Sequence, residues 1–236
     1  MDPTGPVIGH RGAAAFVREN TLAGFELAAD LGCRMVELDV RLTADDVPVV
    51  FHDDALDRLT PASGPVAAWS FAALRALDPL IPTLAETLAV CSARELAVNI
   101  EIKPDRGRER LTARLALEQA RRLWPASLPP PLVSSFRDSC LDQAARTCPA
   151  WPRALLRVKP SASSIRRAVA LGCVAIHADQ RYLGPARIKA ILAAGLSLRA
   201  YTVNDSRRAT ALLDDGVAAL FSDDPALLGQ KTASMS

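Results

Sequence analysis

The sequence predicts an α/β fold, a TIM (β/α)8 barrel with an extra β-hairpin strand and a short insertion after it. Three observations support this prediction. The chain has 236 residues, half of them hydrophobic, and barrels of this type typically have about 250 residues. Short apolar runs alternate with Ala-, Leu- and Arg-rich stretches along the chain. Glycine often separates a helical stretch from the next apolar run, as in repeated βα units.

The apolar runs are the candidates for strands. β-branched or other apolar residues predominate in them, and each run is short enough for one strand. In chain order, the nine runs cover residues 7–10, 35–40, 48–52, 97–102, 132–135, 153–157, 173–177, 197–202 and 218–222.

The stretches between the runs have the pattern of amphipathic helices. Residues 84–93 follow Thr83 and have Glu86 at the third position, which is the pattern of a capping box. Further helices are predicted for residues 21–31, 70–77, 163–171, 185–194 and 206–214.

One connection is too short for a parallel crossover. Only residues 41–47 separate Val40 from Pro48, whereas parallel neighbours need a dozen or more residues between them. Residues 35–42 and 48–52 are therefore predicted to pair as an antiparallel hairpin. The other strands then number eight, as in a TIM barrel. The alternative is an open, doubly wound sheet.

Residues 53–82 are the least regular part of the sequence. They contain four prolines and are predicted to form an insertion over one end of the barrel. No change of composition or linker divides the chain, so residues 1–236 are predicted to form a single domain.

The composition argues against a nucleic-acid partner, because a formal charge of +2 leaves no broad basic surface. No apolar run approaches the roughly 18 residues of a membrane span. Residues 1–6 lack the features of an export signal. The five cysteines are widely spaced, as expected for free thiols in a reducing, cytoplasmic environment. A small-molecule substrate is predicted, and the oligomeric state is not readable from the sequence.

Two predicted strands carry acidic residues where a barrel strand is normally apolar. Since side chains alternate between the two faces of a strand, Glu37 and Asp39 share one face, and Glu101 and Lys103 share another. Three buried carboxylates around one ammonium leave surplus negative charge, which a divalent cation neutralises. All-oxygen ligands favour Mg²⁺ or Ca²⁺. The alternative is a buried ion-pair cluster around Lys103 and Arg11.

Two of the three histidines end predicted strands near these acids. They are His10 and His52. A hairpin turn centred just after Asp45 places His52 opposite Asp39. Because imidazole suits acid–base chemistry at neutral pH, both histidines are predicted to be catalytic. His177 ends another run, and both a structural and a substrate-contacting function stay open for it.

The residues after His10 predict an anion pocket. Arg11 can bind two phosphate oxygens at once, and Gly12 permits close approach of the backbone. Together with Lys103 and a divalent cation, they predict a site for a phosphate group.

In combination, these motifs resemble the glycerophosphodiester phosphodiesterase family from about Val7 to Pro225. The order and spacing of the motifs carry the resemblance, since each is weak alone. The motifs are His10-Arg11-Gly12, Glu19-Asn20-Thr21, Glu37-Leu38-Asp39-Val40, His52-Asp53, Glu101-Ile102-Lys103-Pro104, Ser134-Ser135-Phe136, Tyr201-Thr202-Val203-Asn204 and Ser222-Asp223-Asp224-Pro225.

The resemblance implies a TIM-barrel enzyme that hydrolyses glycerophosphodiesters to sn-glycerol 3-phosphate and an alcohol, through a cyclic phosphate. It implies proton transfer by two histidines, phosphate binding by two cations and one divalent cation on three acids. The histidines are His10 and His52, and the phosphate-binding cations are Arg11 and Lys103. The three acids are Glu37, Asp39 and Glu101. Which histidine is the base stays open, although related barrel phosphodiesterases suggest that it is the first of the two.

Two positions depart from the family pattern. Arg18 stands where proline often precedes the Glu-Asn-Thr triplet, which predicts a slightly altered mouth. Tyr201 stands where tryptophan is common, and the resemblance implies that it contacts the glycerol part of the substrate. The alternative for Tyr201 is simple packing at a strand end.

Other functions are compatible with parts of this pattern. A lysophospholipase D or phospholipase C-like barrel phosphodiesterase would use the same cluster on lipid substrates. A metal-dependent aldolase or enolising barrel would need a carbon-acid site. A non-catalytic barrel could serve as a binding module, but all seven polar residues of the pattern are present.

Overall fold

Strands and helices alternate through residues 5–228, the part of the chain that the computed structural model describes. The strands are β1 (Val7–Gly9), β2 (Met35–Leu42), β3 (Pro48–Val50), β4 (Ala97–Ile102), β5 (Leu132–Ser135), β6 (Arg153–Arg157), β7 (Ala175–Asp179), β8 (Ser197–Tyr201) and β9 (Ala219–Ser222). The α-helices are α1 (Leu22–Asp30), α2 (Phe71–Leu77), α3 (Leu84–Ala93), α4 (Glu109–Leu123), α5 (Asp138–Thr147), α6 (Ala162–Ala170), α7 (Pro185–Ala193) and α8 (Ser206–Asp214).

The parallel strands form a closed barrel. Within the described range, the strand order is β1-β9-β8-β7-β6-β5-β4-β2-β3. Gly9 of β1 also pairs with Val36 of β2, which closes the ring. Strand β3 pairs with β2 in the antiparallel direction. Closure leaves the parallel strands without a free edge, and it confirms the predicted TIM barrel with its extra hairpin strand.

Strand β2 shows how the barrel sorts its side chains. All eight of its residues are buried. Val36 and Leu38 belong to the large apolar cluster between the barrel and the helices. Glu37 and Asp39 point the other way, toward Glu101 inside the barrel. The predicted period of two therefore separates the apolar core from the acidic residues.

The helices cover the barrel with one buried face each. In α4, Ala116, Leu117 and Ala120 are buried at the spacing of one helical face. Helix α3 begins with the predicted capping box. The Glu86 N–H donates to Thr83 Oγ1 at 3.1 Å, and the Thr83 N–H donates to Glu86 Oε2 at 2.7 Å.

The insertion after β3 has a small apolar core of its own. Leu56, Val66 and Leu74 pack there with Val49 and Phe51 of the hairpin. The predicted short helix of this segment is α2. The hairpin thus belongs to the barrel through β2 and packs against the insertion through Val49 and Phe51.

The hairpin register differs from the predicted one by one residue. The Phe51 N–H donates to Asp39 O at 2.9 Å, so Phe51 lies opposite Asp39, and the prediction that His52 does so is wrong. The connecting loop runs from Thr43 to Val47 and is closed by a 3.1 Å bond from the Thr43 N–H to Val47 O. Because the loop has an odd number of residues, the turn is centred on a residue and the register shifts by one.

Parts of two predictions lie beyond the described range. The proposed domain, residues 1–236, and the proposed lack of an export signal both involve residues 1–4, and the domain also includes 229–236. Among residues 5–228, no helix has the length and apolar character needed to cross a membrane.

Candidate active site

The predicted site residues meet at one cavity of about 430 Å³. Those that line it are His10, Arg11, Glu37, His52, Glu101, Lys103 and Tyr201. Asp39 does not line the cavity, but its carboxylate belongs to the acidic cluster at its wall. The structure therefore brings together all eight residues that the sequence selected.

The three acidic residues converge because β2 and β4 are parallel neighbours. Asp39 lies opposite Glu101 in the register. One oxygen from each of Glu37, Asp39 and Glu101 lies within 4.8 Å of the others, and all three side chains are buried. A compact set of carboxylate oxygens is a suitable site for a hard divalent cation.

The charge of this cluster is incompletely compensated. Burial, and then Asp39 and Glu101, raise the pKa of Glu37 well above its ordinary value. Burial also acts to raise the pKa of Asp39, but Lys103 and Arg11 outweigh it and lower that pKa. Glu37 Oε1 is buried and has no hydrogen-bond partner within residues 5–228. A buried oxygen without a partner, beside two further carboxylates, fits a bound cation.

Arg11 contacts the acidic cluster and has a left-handed backbone conformation, with φ of 55°. Its backbone N–H donates to Glu37 Oε2 at 3.1 Å. Its side chain donates from Nη1 to Glu19 Oε1 at 3.0 Å, and Nε lies 3.3 Å from Asp39 Oδ2. Arg11 is thus a fixed cation at the cavity wall, with a carboxylate on either side.

Lys103 is the second fixed cation. Its Nζ lies 2.7 Å from Glu101 Oε1 and 3.4 Å from Asp39 Oδ1. Burial lowers the pKa of Lys103, but Asp39 and Glu101 outweigh burial and raise it. The ion pairs of the alternative interpretation therefore exist. They do not supply a partner for Glu37 Oε1 within the described range.

Gly12 follows Arg11 and also has a positive φ, of 89°. A Cβ at this position would lie 2.7 Å from the carbonyl carbon of Gly24, in the first turn of α1. The structure shows the close backbone approach that the sequence predicted, but toward α1. Gly12 lets the loop after β1 lie directly on that helix.

His10 is oriented by an acid from the other end of the chain. Its Nδ1 lies 2.7 Å from Asp223 Oδ1. The two residues meet because β9 is the barrel neighbour of β1, and the His10 N–H donates to Ser222 O at 2.8 Å. With Nδ1 bonded to a carboxylate, Nε2 is the ring nitrogen available for proton transfer at the cavity.

Asn204 fixes the position of Asp223. Its Nδ2 donates to Asp223 Oδ2 at 2.6 Å, and its Oδ1 accepts the Asp223 N–H at 2.9 Å. The same Oδ1 lies 3.1 Å from the Ser222 hydroxyl. These hydrogen bonds join the motif that begins at Tyr201, at the end of β8, to the motif that begins at Ser222, at the end of β9.

His52, which follows β3, has an equivalent arrangement. Its Nδ1 lies 2.6 Å from Asp53 Oδ1. Burial is the largest effect on the pKa of His52, and it lowers this pKa below its ordinary value of 6.5. Asp39 acts to raise the pKa, whereas Lys103 and Arg11 lower it further. Nε2 is again the nitrogen that remains for chemistry.

A chain of ion pairs connects Asp53 to the rest of the site. Arg58 donates from Nε to Asp53 Oδ2 at 2.5 Å and from Nη2 to Glu19 Oε1 at 2.6 Å. Glu19 in turn accepts from Arg11. Burial acts to raise the pKa of Asp53, but its bonds to Arg58 and His52 lower it to about 2. Asp53 is therefore ionised at neutral pH and is a steady acceptor for His52.

The sequence by itself indicated no individual function for Asp53, Asp223, Asn204, Glu19 or Arg58. Four of them occur in motifs of the family resemblance, but a motif does not reveal which side chain contacts which. Arg58 lies in the irregular insertion, and no sequence pattern marked it.

The two departures from the family pattern have definite positions. Arg18 reaches from the loop after β1 to the insertion, where its Nη2 lies 2.5 Å from Asp78 Oδ2. Tyr201 lines the cavity, and its ring meets Phe136 edge-on with centroids 6.2 Å apart. Tyr201 therefore does face the substrate cavity.

Barrel and site together define a class of enzyme. Active sites of TIM barrels lie at the C-terminal ends of the strands, where this chain places two carboxylate-oriented imidazoles, two fixed cations and a triad of acids. This combination defines a barrel hydrolase for phosphoric diesters.

Comparison with known proteins agrees with this class. The model of the glycerophosphoryl diester phosphodiesterase family matches residues 10–227. A glycerophosphodiester phosphodiesterase of Caldanaerobacter subterraneus is 28% identical over 239 residues, covering 94% of this chain and 95% of that protein. The structure of an Oleispira antarctica phosphodiesterase in complex with the product sn-glycerol-3-phosphate has a TM-score of 0.94 and 34% identity, over 98% of each chain. That of the Thermotoga maritima glycerophosphodiester phosphodiesterase has a TM-score of 0.80 and 26% identity, over 95% of this chain and 97% of that one.

The chain belongs to the glycerophosphoryl diester phosphodiesterase family. It is accordingly a phosphoric diester hydrolase built on a TIM barrel.

Proposed function

We propose that this chain hydrolyses glycerophosphodiesters to sn-glycerol 3-phosphate and an alcohol. The observation that carries the proposal is the pair of histidines, His10 and His52, each with Nδ1 bonded to a carboxylate and each lining the cavity of the acidic cluster. The structural neighbour with bound sn-glycerol-3-phosphate supports the choice of substrate class.

Glu37, Asp39 and Glu101 would hold one divalent cation, Mg²⁺ or Ca²⁺, because their donors are all carboxylate oxygens. When bound, the cation supplies positive charge that polarises a phosphoryl oxygen. Arg11 and Lys103 would bind the non-bridging oxygens of the phosphate from the cavity wall. Their ion pairs with the acids hold both cations in position before the substrate arrives.

The two histidines move the protons. One imidazole removes the proton of the glycerol 2-hydroxyl, whose oxygen forms a bond to phosphorus while the bond to the leaving alcohol breaks. The other imidazole gives its proton to that alcohol. Water then opens the cyclic phosphate with the two functions exchanged. By analogy with related barrel phosphodiesterases, His10 is the first base and His52 the first acid.

Tyr201 would provide an aromatic wall for the glycerol carbons. Its ring is held edge-on by Phe136 and lines the same cavity as the two histidines. Tyrosine keeps an aromatic face at a position where the family often has tryptophan, and it adds a hydroxyl that can bond to substrate.

The environment of the cysteines supports the predicted cytoplasmic location. Cys33, Cys91, Cys140, Cys148 and Cys173 are all buried free thiols. Burial raises the pKa of Cys91 to about 12, so this thiol stays protonated and unreactive.

The decisive experiment is an assay with several glycerophosphodiesters of different headgroups, in chelator and after Mg²⁺ or Ca²⁺ is restored. We expect release of sn-glycerol 3-phosphate that the chelator abolishes and one or both ions restore. The same assay with a lysophospholipid tests the lysophospholipase D alternative. Faster turnover of the lysophospholipid, or no release from any glycerophosphodiester with metal present, would reject the proposal.

A further inference from the structure

Two buried polar side chains at the base of the cavity have no function in the reaction described above. Asn99 of β4 and His177 of β7 both line the cavity. Asn99 is 1% exposed and His177 is 0% exposed. Neither is a ligand of the proposed cation, and neither is one of the two histidines that transfer protons.

Their position is set by the barrel register. Asn99 lies opposite Glu37, one inward-facing step below Glu101 on the same strand. His177 lies one such step below Asp179, which pairs with Tyr201 at the rim. Beneath this level the barrel is closed by an apolar cluster. That cluster includes Ile8, Met35, Leu132, Ala154, Ala175 and Ala219.

The polar atoms of this pair lack protein partners. Asn99 Nδ2 donates to the Ser134 hydroxyl at 2.9 Å, which leaves Oδ1 as the free acceptor. Asn99 Oδ1 and both ring nitrogens of His177 are buried without a hydrogen-bond partner in the part of the chain that is described. Leaving a buried polar atom unpaired destabilises the folded protein. Several such atoms around one cavity indicate a polar ligand.

The chemistry of the pair matches an alcohol. Burial, and then Arg199, lower the pKa of His177 well below its ordinary value, so the ring is neutral and has one N–H donor and one acceptor nitrogen. Its ring packs against Phe221 with centroids 4.8 Å apart, which limits its rotation. A hydroxyl is both a donor and an acceptor, which matches the unpaired acceptor of Asn99 and the N–H of His177.

We propose that Asn99 and His177 bind the terminal C1 hydroxyl of the glycerol moiety. This inference rests on the proposed function, since it concerns the substrate of the same site. A glycerol held at its C1 hydroxyl and at its phosphate has its 2-hydroxyl between two fixed points, in position for attack on phosphorus. Asn99 and His177 are therefore positioning residues that determine specificity for an unmodified glycerol.

The proposal predicts which substrates the site rejects. An acyl ester at C1 has no hydrogen to donate to Asn99 Oδ1. The site therefore prefers deacylated glycerophosphodiesters to lysophospholipids. The preference arises from the floor of the pocket and not from its mouth.

The test uses a pair of substrates that differ in one hydroxyl. They are sn-glycero-3-phosphocholine and its 1-deoxy analogue, which keeps the attacking 2-hydroxyl. We expect kcat/KM of the wild-type protein to be about 10- to 100-fold lower for the 1-deoxy analogue. In Asn99→Leu and His177→Phe, the ratio of kcat/KM for sn-glycero-3-phosphocholine to kcat/KM for the 1-deoxy analogue falls toward one, because the hydroxyl has lost a partner. His177→Gln retains a donor and an acceptor and keeps part of the ratio.

A matched control is Gln180→Ala, which changes a cavity residue directly after β7 and keeps the wild-type ratio. Melting curves show which variants fold, and the comparison of the two substrates on wild-type protein needs no variant at all. Equal cleavage of both substrates by the wild type, or an unchanged ratio in folded Asn99 and His177 variants, overturns the inference alone. If the wild type with metal cleaves neither substrate, the proposed function fails and the inference with it.

Discussion

Asp223 lies 2.7 Å from His10 Nδ1, although the two residues are 213 positions apart in the chain. Closure of the barrel brings them together, since β9 is the last strand and pairs with β1. His52 has its corresponding acid, Asp53, at the adjacent position, 2.6 Å from its Nδ1. The two imidazoles thus receive the same kind of partner by opposite routes, one through the tertiary fold and one through the local chain.

The first prediction concerns the proton-transferring groups. Replacing His10 or His52 by alanine is expected to lower kcat by about 10²–10⁴-fold, the usual contribution of one acid–base group. Because both side chains lie at the cavity and not in the apolar clusters, the thermal unfolding midpoint should change little. Steady-state assays and melting curves measure both effects. Turnover close to that of the wild type in either variant contradicts the assigned function.

The second prediction concerns pH. The bond from Asp53 raises the pKa of His52, so Asp53→Asn is expected to lower that pKa further. If His52 is the first acid, it must be protonated, and the alkaline limb of the kcat/KM profile moves to lower pH. If His52 is the first base, the acidic limb moves to lower pH instead. The profile therefore also assigns the two functions.

A suitable control for this pH experiment is Asp54→Asn, which changes an exposed acid one residue away. Its profile should coincide with that of the wild type. A profile for Asp53→Asn in which neither limb moves would show that the bond to His52 has no effect on proton transfer.

The third prediction tests the attacking group. A substrate with hydrogen in place of the glycerol 2-hydroxyl cannot form a cyclic phosphate. We expect its turnover to be lower by more than about 10³-fold, because an intramolecular nucleophile has a large effective concentration. Product analysis by phosphorus NMR measures the loss. Normal cleavage of this substrate would instead indicate direct attack by water.

The fourth prediction concerns the cation and needs no activity assay. Mg²⁺ or Ca²⁺ should raise the melting temperature of the wild-type protein, because a ligand that binds the folded state stabilises it. In Glu37→Gln the increase should be much smaller. Without metal, this variant should melt at the same or a higher temperature, since Glu37 adds negative charge to a buried acidic cluster.

The result also separates the two interpretations of the cluster. A purely structural ion-pair network would show no metal-dependent stabilisation, and Glu37→Gln would then lower the melting temperature of the protein.

The fifth prediction concerns stability away from the site. Thr83→Ala removes the N-terminal cap of α3 and is expected to lower the free energy of unfolding by about 0.5–2 kcal/mol. Activity should be unaffected, because Thr83 does not line the cavity. Ser92→Ala, on the same helix, is the control, as its hydroxyl bonds only to Ala89 O within the helix in the described structure. Equal destabilisation by both changes would show that the cap is not the cause.

Much of the site was predictable from local patterns. The period of two placed Glu37 and Asp39 on the face opposite to Val36 and Leu38, and the structure agrees. The short connection after Val40 required an antiparallel return, which is strand β3. Such inferences succeed because strand geometry and chain length act on neighbouring residues.

The remaining features depended on details that local patterns do not contain. The hairpin register was predicted one residue out, because the closing bond between Thr43 and Val47 depends on the conformation of the loop. Arg11 was expected to face a phosphate, and its side chain is also fixed between Glu19 and Asp39. Neither contact follows from the spacing of these residues in the chain.

The sequence by itself determined the eight parallel strands, the return strand and the set of polar residues that face inward, because the alternation of apolar and polar residues is a local property of the chain. The tertiary structure alone decided that Asp223 orients His10, and that Asn99 and His177 end at the floor of one cavity without partners in the described range. These relationships arise when the sheet closes and its last strand joins its first, which brings together residues that no local pattern connects.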